Sequence, residues 1–197
     1  VLRARSFAND GSAYKSEAVS ATYVIIGDTP TQEAHDTNLN VVFLVTDPDN
    51  LFNVDSGIYV IGSHYKGTQD ANDWYEKTHY MGANFNQRGR EWEREAYMTY
   101  TSPGGSQVEY EQNLMIRIFG SFSRYDSMKG IALIARKGYG SSRIQYPFFA
   151  DRPFTEYKSL VLRASAKDWN RSRIRDVLIL GLANDVNLDM AVQAYVQ

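Results

Sequence analysis

Cysteine is absent from these 197 residues, and with it go disulfides, thiolate metal sites and thiol nucleophiles. The compartment stays open, since a chain without cysteine is at home inside or outside a cell. Histidine is scarce: His35, His64 and His79 lie in polar segments with no metal-ligand spacing between them. No apolar run approaches the roughly 20 residues of a membrane-spanning helix. An excess of either charge is missing too. The net charge is -2, with basic residues interleaved among acids, so no long cationic surface for nucleic acid or anionic lipid is on offer. No serine sits in a Gly-x-Ser-x-Gly elbow, which leaves a hydrolase triad without support. Asp47, Asp49 and Asp55 do not fit the EF-hand loop, and turn formation around Pro48 explains them better.

What is present is a strand-rich pattern with ample apolar residues for a core. Residues 1–7 and 19–26 alternate like two strands joined by a Gly-Ser-containing turn. The chain opens at Val1, with neither a methionine nor a signal-peptide pattern, and the expectation is a processed piece of a longer protein. Residues 28–38 are polar, contain Pro30 and read as a linker. Residues 39–46 suit a buried strand, after which Asp47-Pro48-Asp49-Asn50 begins a helical turn through Leu51 and Phe52. Residues 57–61 are expected to form another short strand, and residues 62–90 a long irregular excursion of the kind that is usually functional or mobile. Residues 93–101 place Ala96, Met98 and Tyr100 on one face, and Ser102-Pro103-Gly104-Gly105-Ser106 turns the chain back into residues 108–118. Residues 158–163 make one more strand. The long helix is expected over residues 170–185, where Ile174, Val177, Leu178, Gly181 and Leu182 recur at helical spacing. Many strands followed by a helix predict an α+β fold, an antiparallel strand-rich part with one long C-terminal helix.

Residues 115–140 carry the most information. Leu114, Ile116 and Ile118 alternate along one strand, and Ile131, Leu133 and Ile134 mark the next. Between them, Gly120 lets backbone approach a ligand, the hydroxyls of Ser121 and Ser123 can bond an anion, and Arg124 and Lys129 supply positive charge. That is the inventory of a phosphate site and equally of an ordinary hairpin turn. A second cationic corner combines Arg163 with Arg171, Arg173 and Arg175, placed by the expected helix in its first turn and a half. There the macrodipole disfavours positive charge unless an anion answers it. The anion is either a carboxylate, Asp168 or Asp176, or a phosphate at the helix N-terminus. Residues 86–94, dense in charge around Trp92, read as a solvated loop with local Arg–Glu pairing.

Taken together, four stretches resemble the CotH family, the spore-coat protein H group of atypical, secreted-type protein kinases. They are Thr46-Asp47-Pro48-Asp49-Asn50-Leu51-Phe52 with Ser56-Gly57-Ile58-Tyr59-Val60; Asn86-Gln87-Arg88-Gly89-Arg90-Glu91-Trp92-Glu93-Arg94; Ile116-Arg117-Ile118-Phe119-Gly120-Ser121-Phe122-Ser123-Arg124 with Lys129; and Leu160-Val161-Leu162-Arg163 followed by Asp168-Trp169-Asn170-Arg171 and Arg175-Asp176. Residues 1–27 look like the end of a chitobiase C-terminal or fibronectin-type-III-associated module, residues 28–38 like the linker, and residues 39–197 like a CotH-like domain cut before its catalytic C-terminal part.

The resemblance implies a kinase-like cleft in which a glycine-containing turn covers nucleotide phosphates and a strand lysine pairs with them. By position Gly120, Ser121, Ser123 and Arg124 take the first role and Lys129 the second. Arg163, with Arg171 and Arg175, joins the cleft or its support. It further implies ATP and magnesium as cofactors of a full-length parent that phosphorylates serine in coat or surface proteins, with an extracellular, cell-surface or spore-coat location. In that family the metal-binding and catalytic aspartates lie beyond the helix. Since the chain ends at Gln197, the expectation is a fragment inactive alone, with no catalytic or metal residue of its own. A rival from another class is a non-catalytic attachment module binding carbohydrate through Tyr65, Trp74, Tyr75, Tyr80, Phe85 and Trp92, since exposed rings stack on sugar faces.

Overall fold

The computed structural model describes residues 2–4, 19–21, 38–67, 80–103, 107–150, 152–165, 168 and 171–186. The central element is a five-stranded antiparallel sheet in which β3 (Asn40–Val45), β4 (Arg94–Pro103), β5 (Val108–Phe119), β6 (Gly130–Ile134) and β9 (Ser159–Leu162) lie side by side in that order. A two-stranded ribbon, β7 (Ile144–Gln145) with β8 (Glu156–Tyr157), is inserted between β6 and β9. Separately, β1 (Leu2–Ala4) and β2 (Val19–Ala21) pair antiparallel, with Leu2 opposite Ala21. Among the described residues two α-helices, α1 (Pro48–Phe52) and α2 (Arg175–Asp185), complete an α+β fold. Among the described residues no helix is long and apolar enough to cross a membrane. The expected linker lies outside the described residues apart from residue 38.

The alternation seen in the sequence sets the sheet's buried face. Ala96 and Met98 from β4, Leu114, Ile116 and Ile118 from β5, and Leu133 from β6 are all at most 2 % exposed, which at about 1.5–3 kcal/mol for each large side chain is the main favourable term here. The register agrees, with Ile116 opposite Leu133 and Ile118 opposite Ile131. Ile58, Ala83 and Phe85 from the irregular segments, and Ile144 from β7, belong to the same buried cluster.

Those segments have their own polar hub. Asn84 is buried, and its side-chain amide donates to the carbonyls of Val54 and Gly57, both at 3.1 Å, while its Oδ1 meets His64 Nδ1 at 2.9 Å. A Cβ on Gly62 would fall 2.1 Å from the Asn84 side chain, so the loop closes this tightly only with glycine there. Helix α1 begins as the sequence implies. The Asp47 carboxylate accepts from the Asp49 amide at 2.9 Å, and Pro48 stands in the first turn, where its missing N–H is no loss.

Two expectations are corrected. Residues 57–61 form no strand: the amides of Ile58 and Tyr59 donate back to the carbonyls of Asn50 and Leu51 at 3.0 and 2.9 Å, which closes a local turn over α1 instead of a ladder. The long helix begins at Arg175, not near residue 170. Arg173 has φ of +60°, incompatible with a right-handed helix. The residues before α2 fold around Asp168, whose backbone carbonyl accepts the Arg171 amide at 3.0 Å and whose carboxylate accepts the Ser172 hydroxyl at 2.6 Å. Arg171 and Arg173 therefore lie outside α2, and the macrodipole argument reaches only Arg175.

Helix α2 itself buries no residue; Leu178 and Leu182, four apart along it, are exposed, as are the flanking Ile174 and Val186. Its ties are polar: Arg163 Nη2 meets Asp176 Oδ2 at 2.8 Å, Arg175 Nη2 lies 3.6 Å from Asp168 Oδ1, and the Arg175 amide approaches Asp168 Oδ2 at 3.4 Å. The Ser172 hydrogen bond is the first cause that holds the Asp168 carboxyl below the usual carboxylate range, with the Arg175 amide and guanidinium adding to it. A folded-state value below the unfolded one makes this anchor fully effective above about pH 4, and it weakens as pH falls below that. Substituting Asp168→Asn is expected to fray α2 at neutral pH, read as lost far-ultraviolet helical signal, with wild type and variant converging in acid.

Candidate functional site

The end of the sheet where β5 finishes, β6 begins and β9 finishes opens into a cavity of about 530 Å³, within the range of small-molecule sites. It is lined by Arg88, Arg117, Ile118, Phe119, Gly120, Ser121, Ser123, Arg124, Gly130, Arg163 and Ala164. Four arginines and two serines are among these residues, and no acidic residue is.

The loop from residue 120 to 129 is architecturally a hairpin connection, since Phe119 pairs with Gly130 across it. Gly120 leaves β5 with φ of +124°, and a Cβ there would stand 2.3 Å from Ser123 Oγ, so glycine alone permits both the turn and the close hydroxyl. A turn of 3-10 helix over Phe122–Arg124 then sends the Arg124 side chain inward. That guanidinium is 4 % exposed and donates to four carbonyls: Nε to Gly120 at 2.7 Å, Nη1 to Phe85 at 2.8 Å and Gln87 at 3.3 Å, and Nη2 to Ile118 at 2.7 Å. Burial, followed by the positive charges of Arg88 and Arg117, pushes its pKa down to about 10.

Lys129 points elsewhere. Its ammonium donates to the carbonyls of Arg124 at 2.7 Å and Asp126 at 2.9 Å, and lies 4.3 Å from the centre of the Phe85 ring and 5.4 Å from that of Tyr59. Burial lowers its pKa, partly offset by Asp126. This is a lysine held by carbonyl dipoles and ring faces beneath the loop, outside the cavity lining.

Five of the six nucleotide-site residues expected from the sequence, Gly120, Ser121, Ser123, Arg124 and Arg163, thus line one cavity, and Lys129 does not. Arg163 is answered by Asp176, and Arg175 by Asp168, so the carboxylate explanation of that corner is realised for both. The residues not foreseen as part of the site are Arg88 and Arg117. Arg117 occupies an outward position of β5, one before that of Phe119 at the strand's end and opposite in phase to buried Ile116 and Ile118, and this phase was the available signal. Arg88 gave none, because Arg124 joins residues 85–87 to the loop over 37 positions of sequence.

Phosphate groups fit this lining, with serine hydroxyls and guanidinium groups as donors. Magnesium finds no matching donor set: among the described residues no group of three or more histidine or acidic side chains stands close enough to hold a metal ion. Of the six aromatics considered for carbohydrate, Trp74 and Tyr75 lie outside the described residues. Tyr65 stacks edge-on to Tyr80, Tyr80 to Phe85, and Trp92 to His64, so these rings brace one another.

Replacing Arg124 with alanine is expected to lower stability by about 3 kcal/mol, because four carbonyls, two of them bonded in fully buried settings, lose their donor. Chemical denaturation monitored by tryptophan fluorescence measures it. Comparison of the chain with protein-family models, with curated proteins and with solved structures gives no match.

Proposed function

We propose that this chain is the phosphate-binding, strand-rich portion of a CotH-like atypical protein kinase, one that holds the polyphosphate of ATP at the end of the sheet. The supporting observation is the convergence of Gly120, Ser121, Ser123 and a set of guanidinium groups on one carboxylate-free cavity. A turn that brings backbone and hydroxyls to a ligand, beside fixed positive charge, is the arrangement that positions phosphates for transfer. The residues that would hold the nucleotide are those of the lining. In this reading the parent's substrates are serine side chains of coat or surface proteins outside the cell. In this reading the chain alone binds and does not transfer, because transfer also needs carboxylates that hold magnesium and orient the hydroxyl, which the resemblance places in another part of the parent. Attachment through sugar stacking draws less support, since the described rings pack on one another.

Titration calorimetry of the chain with ATP tests the reading. Binding is expected with a dissociation constant somewhere from about 10 μM to 1 mM, weakening as salt is raised. No saturable binding overturns it. Label transfer from ATP to a serine-rich acceptor by this chain would overturn the assignment of binding without transfer.

A further inference from the structure

We propose that Arg88 and Arg117, rather than Lys129, are the side chains that meet the ligand's phosphates. The proposal rests on the phosphate reading above and changes which residues perform it.

Charge balance carries the first step. Of the four guanidinium groups in the lining, Arg163 is paired with Asp176 at 2.8 Å. Arg117 stands 3.9 Å from Glu93, but that buried carboxylate is already held by Arg136 through two hydrogen bonds of 2.8 and 2.5 Å. Arg124 bonds only neutral carbonyls, and Arg88 is exposed with no ion pair among the described residues. Arg88, together with Arg117 shared with Glu93, is therefore what the lining leaves to answer an anion in a cavity without a carboxylate.

Geometry carries the second. Arg88 sits on backbone fastened at both sides: Arg124 Nη1 holds the Gln87 carbonyl at 3.3 Å, and Arg117 Nη1 holds the Gly89 carbonyl at 3.2 Å. Gly89 adopts φ of +100°, and a Cβ there would lie 2.4 Å from the Glu91 carboxylate. The stretch is thus a preset presentation of one arginine to the cavity. Lys129 has two of its three donors bonded to carbonyls and its ammonium against two rings. To reach a phosphate it would have to abandon all of these. Its role is to brace the loop from below.

Calorimetric titration with sodium pyrophosphate and with ADP, on wild type, Arg88→Gln, Arg117→Gln and Lys129→Met, tests the assignment. Each arginine substitution is expected to weaken both ligands roughly tenfold or more and to flatten the salt dependence. Lys129→Met is expected to melt at lower temperature yet, when folded, to bind within about twofold of wild type. Unchanged affinity in both arginine variants overturns the assignment, as does a folded Lys129→Met that has lost binding. If Lys129→Met does not fold, the arginine variants decide. Arginine-dependent binding of pyrophosphate without ADP binding would sink the nucleotide reading and keep this one. ADP binding indifferent to both arginines would do the reverse, and no binding of either ligand by wild type overturns both.

Discussion

The Arg124 guanidinium is the interaction on which the site depends. A planar group with fixed donor directions bonds the carbonyls of Ile118, Gly120, Phe85 and Gln87, and so joins the end of β5, the loop after it and the irregular stretch before β4. Lysine has no such fork. Because the guanidinium's partners are neutral dipoles, the charge is solvated but not cancelled. The same residue therefore sets the shape of the cavity and contributes to its positive potential.

Around that peg the parts divide into support and presentation. Lys129, Tyr59 and Phe85 form a floor under the loop, with the Tyr59 hydroxyl bonding the Lys129 amide at 3.0 Å and the Ser127 carbonyl at 3.1 Å. Ser121, Ser123, Arg88 and Arg117 line the cavity instead. Buried cations with carbonyl and ring partners are structural devices, whereas more exposed cations that line the cavity are available to a ligand.

The strands were legible because their side chains obey a simple period. Leu114, Ile116 and Ile118 alternate, and the sheet buries them as the alternation requires. The loop's phosphate-like composition was also legible, through Gly120 and the neighbouring serines. What the sequence could not display was direction. Lys129 and Arg124 look like free cations until long-range carbonyls are seen to occupy them, and Arg88 looks like part of a solvated loop until residues 85–89 are seen pinned to β5. The start of α2 was misplaced for a related reason: helical spacing from Ile174 onward is genuine, but Arg173 in the left-handed region and the turn around Asp168 are local geometry that periodicity does not encode.

The cavity draws its cations from three segments far apart in the chain, residue 88, residues 117–124 and residue 163. Like charges held close repel, so this end of the sheet is a seam under electrostatic tension. A polyanion lodged there would act as a non-covalent crosslink between those segments, and occupancy would tighten the fold by mass action. The same corner includes Arg163, whose pairing with Asp176 tethers α2. Neutralising the seam thus draws on the same guanidinium that moors the helix, and the pose of α2 becomes a natural reporter of what the cavity holds.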